Sequence, residues 1–214
     1  MAVTKKSETQ SLECHQEIPE AILVMAERTG LAPKAISELS LSQILTGLQS
    51  PDKHVKGRAL ELLAIHFTCL IDLDFKDWLL RSVDSNYIEV GIVANGRQVP
   101  FSRWLIQCRD ARQMGMGEIA MAVGRGISFR PNVVLSVTTG RFTPQARHYA
   151  TKAMQLTNLQ ILLIDTHDLG AIASGEMTVQ SILSRETEWA QSAKELQLAH
   201  SIPDIAGVVG GHCS

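Results

Sequence analysis

The stretch from Asn132 to Thr139, NVVLSVTT, constrains the fold more than any other. Its apolar run is almost continuous, so a strand there needs cover on both faces, as at the centre of a sheet lined by helices. The neighbouring segments supply that setting. YIEVGIVA (87–94) sets Ile88, Val90 and Ile92 against Glu89, Gly91 and Val93, RWLIQC (103–108) reads as a second strand, and QILLID (160–165) as a fourth. Among them, GEIAMAVG (117–124) predicts a short helix. Thr143-Pro144 caps another that runs to about Leu156, and TVQSILSRETEWAQSAKEL (178–196) predicts a closing amphipathic helix. The resulting order, α-β-β-(α)-β-α-β-α, is that of an α/β layered core.

Upstream, residues 18–48 fit two short helices, with Pro19 near the first start, Gly30 near its end and Pro33 opening the second. A longer helix follows to about Leu70, with Ser50 as its expected N-cap and Pro51 at its first position. The expected organisation is therefore a polar, disordered 1–17, a helical extension over 18–50, a core over 51–175, a C-terminal helix over 176–203 and a flexible tail over 204–214. Asn95-Gly96 carries the signal of a two-residue hairpin turn, but that register would set Gly91 opposite Pro100, which cannot donate a ladder hydrogen bond. A wider connection or a bulge between Ala94 and Trp104 is expected instead, bringing Gly91 nearer Gln107.

Several functional classes find no support. No apolar run approaches the roughly 18 residues of a membrane span. No apolar segment follows the N-terminal lysines, so a secretory signal is not expected. Four scattered cysteines without a CxxC pair fit a reduced, cytoplasmic setting. The seven histidines lack zinc-ligand spacing. GMGEIA (115–120) approaches a dinucleotide fingerprint, but six residues separate it from Cys108, too many for the tight strand-to-helix turn that chemistry needs.

Charge points elsewhere. The chain carries a net −2, yet from Ile92 to Lys152 nine basic residues face two acidic ones, a local +7. Eight of the nine are arginine, the side chain suited to bidentate phosphate contact. The same segment holds FSRWLIQCRDAR (101–112). Alternation sends Trp104, Ile106 and Cys108 to one face of that strand, and Leu105, Gln107 and Arg109 to the other. A strand that aims a glutamine and an arginine at one place suggests a site.

From about Gly57 to Ala173 the chain resembles the Mrr-like restriction endonucleases of the PD-(D/E)xK superfamily. The stretches that carry the resemblance are GRALELLAIHFTCLIDLDFKDWLLRS, EVGIVA, FSRWLIQCR, VVLSVTTGRFTPQARHYA and LQILLIDTHDL. It implies a restriction-endonuclease-like mixed sheet flanked by helices, with an N-terminal helical extension and a C-terminal helix. It also implies hydrolysis of phosphodiesters in double-stranded DNA, assisted by magnesium or manganese. In the family pattern a helix acid falls on Glu61, the strand aspartate on Gly91, the glutamine on Gln107, and the lysine position on Arg109. Two of the four groups are thus altered. A glycine supplies no metal ligand, and an arginine cannot serve as a base near neutral pH, although it can stabilise phosphoryl charge. Glu89 shares the face of Gly91, roughly 7 Å away along the strand, and is the candidate displaced ligand. The expected catalytic set is Glu61, Glu89, Gly91, Gln107 and Arg109, with Glu61 and Glu89 as metal candidates. Arg103, Arg112, Arg141 and Arg147 are the expected DNA-backbone contacts. The favoured expectation is a DNA-binding relative with an impaired active site, working as a homodimer or beside an active nuclease subunit. The alternatives are an active, divergent magnesium-dependent endonuclease that uses Glu89, and a non-catalytic assembly subunit.

Overall fold

Prolines, glycines and capping side chains set the helix boundaries at the start of the chain. A computed structural model describes residues 18–83, 88–97 and 102–201; the expectations for 1–17 and 204–214 lie outside the described residues. Pro19 precedes α1 (Glu20–Thr29), and Gly30 ends it at φ 68°, in the left-handed region where glycine lacks the Cβ penalty. Pro33 opens α2 (Pro33–Ser37). A third short helix, α3 (Leu41–Leu48), joins the two expected ones. Ser40 and Gln43 satisfy each other's backbone N–H groups in a capping box there. The long helix α4 (Lys53–Leu70) begins later than Ser50-Pro51 implies, because Asp52 is its N-cap and accepts from the His54 N–H at 2.8 Å.

Next comes β1 (Leu73–Val83), a strand that the spacing does not announce. Register shifts between Phe75 and Asp77 and between Trp78 and Leu80 break the two-residue alternation by which strands are read. It is followed by β2 (Ile88–Gly96), β3 (Arg103–Asp110) and the short β4 (Gln113–Met114). Asn95 pairs with Arg103 and Gly91 with Gln107, so the connection is the wider one and not a two-residue hairpin. The chain continues through α5 (Met116–Phe129), β5 (Val133–Thr138), β6 (Arg141–Phe142), α6 (Pro144–Leu156), β7 (Gln160–Ile164), α7 (Thr166–Ala173) and α8 (Val179–Ser201). Helix α5 extends past Gly124, where its glycines predict an end. It packs closely at Gly126, where a Cβ would stand 3.1 Å from Leu159 and 3.3 Å from Val134. This extension matters because it makes Arg125 helical.

Five strands form one mixed sheet in the order β1-β2-β3-β5-β7, antiparallel from β1 to β3 and parallel from β3 to β7. All six residues of β5 are buried, as a central strand requires. The two faces carry separate apolar layers. Val90, Ile92, Ile106, Cys108 and Leu135 pack with Leu60, Leu63, Ala64 and Phe67 of α4. On the other side, Leu105, Val134, Ile161 and Leu163 pack with Ile119 and Val123 of α5, Ala150 and Met154 of α6, and Ala190 of α8. This is an α/β fold: a five-stranded mixed sheet flanked by helices on both faces.

Candidate active site

Pairing register decides which polar groups meet. Side chains directly opposite each other on neighbouring strands share a face. Glu89 lies opposite Arg109, Gly91 opposite Gln107, Gln107 beside Ser136 and Arg109 beside Thr138. These residues form a polar row on the α5 side of the sheet, at the end where β3 and β5 finish. Glu89 and Gln107 are each only 5% exposed and Arg109 is 9% exposed. Burying such groups is costly unless each finds a partner.

Helix α5 supplies the partners. Glu118 and Arg125 stand seven residues apart, two turns along one helical face, and both reach back to the sheet. The Arg125 guanidinium donates to Glu89 Oε1, which also accepts from Gln107 Nε2 at 3.0 Å. Glu118 Oε1 lies 3.9 Å from an Arg109 guanidinium nitrogen, while its other oxygen accepts from the Gly115 N–H at 2.9 Å. Two glutamates and two arginines therefore balance in charge across the sheet–helix boundary. Sequence reading omits Arg125 and Glu118 from the site. The spacing of the two was visible, but a helix expected to stop at Gly124 leaves Arg125 outside it.

The five expected catalytic positions do not form one cluster. Glu89, Gly91, Gln107 and Arg109 come together as strand parity requires. Glu61 lies on α4, which covers the opposite face of the sheet, and its two oxygens accept from one Arg28 nitrogen at 2.9 and 3.1 Å. That arginine also stands over the Trp78 ring, 5.3 Å from its centroid. The expectation that Glu61 converges with the other four is thus corrected: helix packing puts the sheet between them. Burial raises the Glu61 carboxyl above its ordinary value of 4.5, and the Arg28 charge offsets only part of that rise. A raised carboxyl favours folding while protonated, and that contribution fades as pH climbs through the folded-state value. Wild-type stability should therefore fall relative to Glu61→Gln between acid and neutral pH, as read by urea unfolding. The opposite trend would show that the Arg28 ion pair outweighs burial.

The basic residues also separate. Arg112 and Arg141 are exposed neighbours beyond the site: β4 and β6 pair in parallel, and the Arg141 N–H donates to the Arg112 carbonyl at 3.3 Å. Arg147 is partly committed elsewhere, donating to Asp165 at 3.2 Å and lying 5.6 Å from the centroid of the Phe142 ring. Arg103 begins β3 at the far end of the sheet, roughly 23 Å from Asp110 at about 3.3 Å per residue. The four arginines thus do not make one contiguous face, because Arg103 occupies the other end of its strand.

The restriction endonuclease family model Mrr_cat matches residues 67–172. That stretch, just under half of the chain, is similar to a restriction endonuclease domain of this family. The match runs from the end of α4 into α7, so it includes Glu89, Gly91, Gln107, Arg109, Glu118 and Arg125 and begins after Glu61. Among solved structures, the DNA modification-dependent restriction endonuclease AspBHI matches with a TM-score of 0.28 and 14% identity. That match covers 92% of this chain and 44% of the AspBHI chain, so this chain spans less than half the length of that protein. No curated protein matches. Nucleases of the Mrr_cat type are typically dependent on a divalent metal. Around the polar row of β2 and β3, the donors for such a metal are few. Oε1 of the Glu89 carboxylate is already engaged by Gln107 and Arg125, and position 91 has no side chain. Among the described residues, no three His, Cys, Asp or Glu side chains are grouped to hold a metal ion. Also among the described residues, no helix is long and apolar enough to cross a membrane.

Proposed function

We propose that this protein is a cytoplasmic, restriction-endonuclease-like protein that binds double-stranded DNA and has an impaired catalytic pocket. One observation carries the reading: the buried Glu89 carboxylate, which faces Arg109 across the strand pair, is held by Gln107 and Arg125. A magnesium-assisted nuclease needs carboxylate oxygens available to the metal. Here one of the two carboxylate oxygens, Oε1, is committed to protein donors, and an arginine stands at the lysine position of the family pattern. Arg112 and Arg141 sit beside the same end of the sheet and give a phosphate-binding patch.

Supercoiled plasmid nicking in magnesium and in manganese, with gel-shift titrations over a salt series, tests the proposal. The expected result is no metal-dependent nicking together with salt-sensitive duplex binding. Arg112→Ala with Arg141→Ala should weaken binding by roughly tenfold or more and flatten its log–log salt slope by about 2, close to one unit per lost phosphate contact. Efficient nicking by the wild type that Glu89→Ala abolishes would establish the active, Glu89-dependent alternative. Absence of DNA binding would leave the assembly-subunit reading.

A further inference from the structure

We infer that Arg125 is a built-in cation: its guanidinium occupies the position at Glu89 where a divalent metal would sit, and this keeps the pocket metal-free. The inference rests on the reading of the pocket as impaired and names the residue responsible. Three features of the geometry carry it.

First, the Glu89 side chain is 6% exposed, so its charge needs a positive partner or a dense set of donors to remain buried. Second, Glu89 Oε1 already accepts two hydrogen bonds, from Gln107 Nε2 and from Arg125. A magnesium ion needs an oxygen at about 2.1 Å within a near-octahedral shell that includes several waters. A guanidinium in direct contact with Oε1 takes up the space that such a shell needs at this oxygen. Third, Arg125 reaches the carboxylate from the partly open side, with its own side chain 26% exposed. Solvent can therefore enter the space the guanidinium leaves when the side chain is shortened. Glu118 of α5 lies beside Arg109, so Glu89 and Glu118 are each matched by an arginine.

The reverse follows. Removing the positive charge at 125 should leave Glu89 as a buried carboxylate next to solvent, which a hydrated divalent ion can neutralise. Manganese is the suitable probe, because its electron paramagnetic resonance signal distinguishes free from bound ion. Wild type and Arg125→Lys should show no Glu89-dependent manganese binding. Arg125→Gln should gain it, with at least tenfold higher affinity than wild type, and the gain should vanish in Arg125→Gln with Glu89→Gln. Thermal unfolding gives a second readout: manganese should raise the midpoint of Arg125→Gln and leave that of wild type unchanged. If Arg125→Gln is unfolded without metal, recovery of its native circular dichroism on adding manganese supports the inference, and failure to recover overturns it.

Two other results would overturn it. One is manganese binding by wild type that Glu89→Gln removes. The other is a folded Arg125→Gln protein that gains no manganese binding. The two ideas fail separately. Plasmid nicking by wild type defeats the impaired-pocket reading, whereas a non-nicking wild type beside a metal-blind Arg125→Gln defeats only the role given to Arg125.

Discussion

Gly140→Ala should destabilise the protein by about 3 kcal/mol, lowering the thermal midpoint by roughly 6–12 °C for a chain of this size. The cause is space and not backbone conformation. A Cβ at position 140 would lie against the carbonyl oxygens of Ala111 and Arg112, well inside van der Waals contact. Both atoms belong to backbone, so no flexible side chain can swing away. The loops that follow β3 and β5 are also tied together on either side of this point. Thr139 donates through its N–H to the Arg109 carbonyl and through its hydroxyl to Asp110, and Arg141 donates to the Arg112 carbonyl. Gly140 itself donates to the Thr138 hydroxyl at 3.2 Å and accepts from the Thr166 N–H at the start of α7 at 2.9 Å. A methyl group would prise these loops apart at the place that presents Arg112 and Arg141. DNA binding should therefore weaken together with stability. Gly170→Ala is the control. That glycine lies inside α7 with nothing within 4 Å of an added Cβ, so alanine there should stabilise by about 0.5–1 kcal/mol. Equal midpoints for Gly140→Ala and wild type in calorimetry would mean that the two loops do not meet in solution.

The contrast between these glycines bears on what a sequence exposes. Features encoded by neighbouring residues were legible. The parity of β3 separates Ile106 and Cys108 from Leu105, Gln107 and Arg109, and the two apolar layers contain those residues as alternation requires. Thr143-Pro144 opens α6 at the expected place, since both the cap and the proline act within one turn. Features made by pairs distant in sequence were not. The Glu89–Arg125 contact spans 36 residues and joins a strand to a helix. Its helical half is hidden by Gly124 and Gly126, which read locally as an end of the helix, although Gly126 serves close packing against β5 and Leu159. Strand β1 was obscured for a different reason: its two register shifts destroy the very periodicity that would reveal it. Glu61 was placed by family pattern alone. Its pairing with Arg28 depends on how α1 lies against α4, which no local spacing specifies.

A double-mutant cycle on Glu89 and Arg125 should give a favourable coupling of about 1–3 kcal/mol, the size expected for contacting charges in a part-buried site. Removing one member of a fully buried pair costs on the order of 3–5 kcal/mol, because the other charge is left without compensation. Here the two single changes should differ. With Glu89→Ala, the Arg125 side chain is 26% exposed and can turn toward water, so about 2 kcal/mol is expected. With Arg125→Ala, the Glu89 carboxylate stays at 6% exposure with Gln107 as its remaining donor, and about 3 kcal/mol is expected. The double variant should cost less than the sum of the two. The sign for Glu89→Ala is the informative part. A carboxylate kept ready for a metal is held at some expense to the fold, and replacing it commonly stabilises an enzyme. A carboxylate that belongs to an internal ion pair does the opposite, since the fold depends on its charge. Chemical denaturation of wild type and the three variants, in buffer freed of divalent ions by chelation, distinguishes these cases. A Glu89→Ala protein more stable than wild type under those conditions would mark Glu89 as a metal-ready group and would reject the closed-pocket assignment.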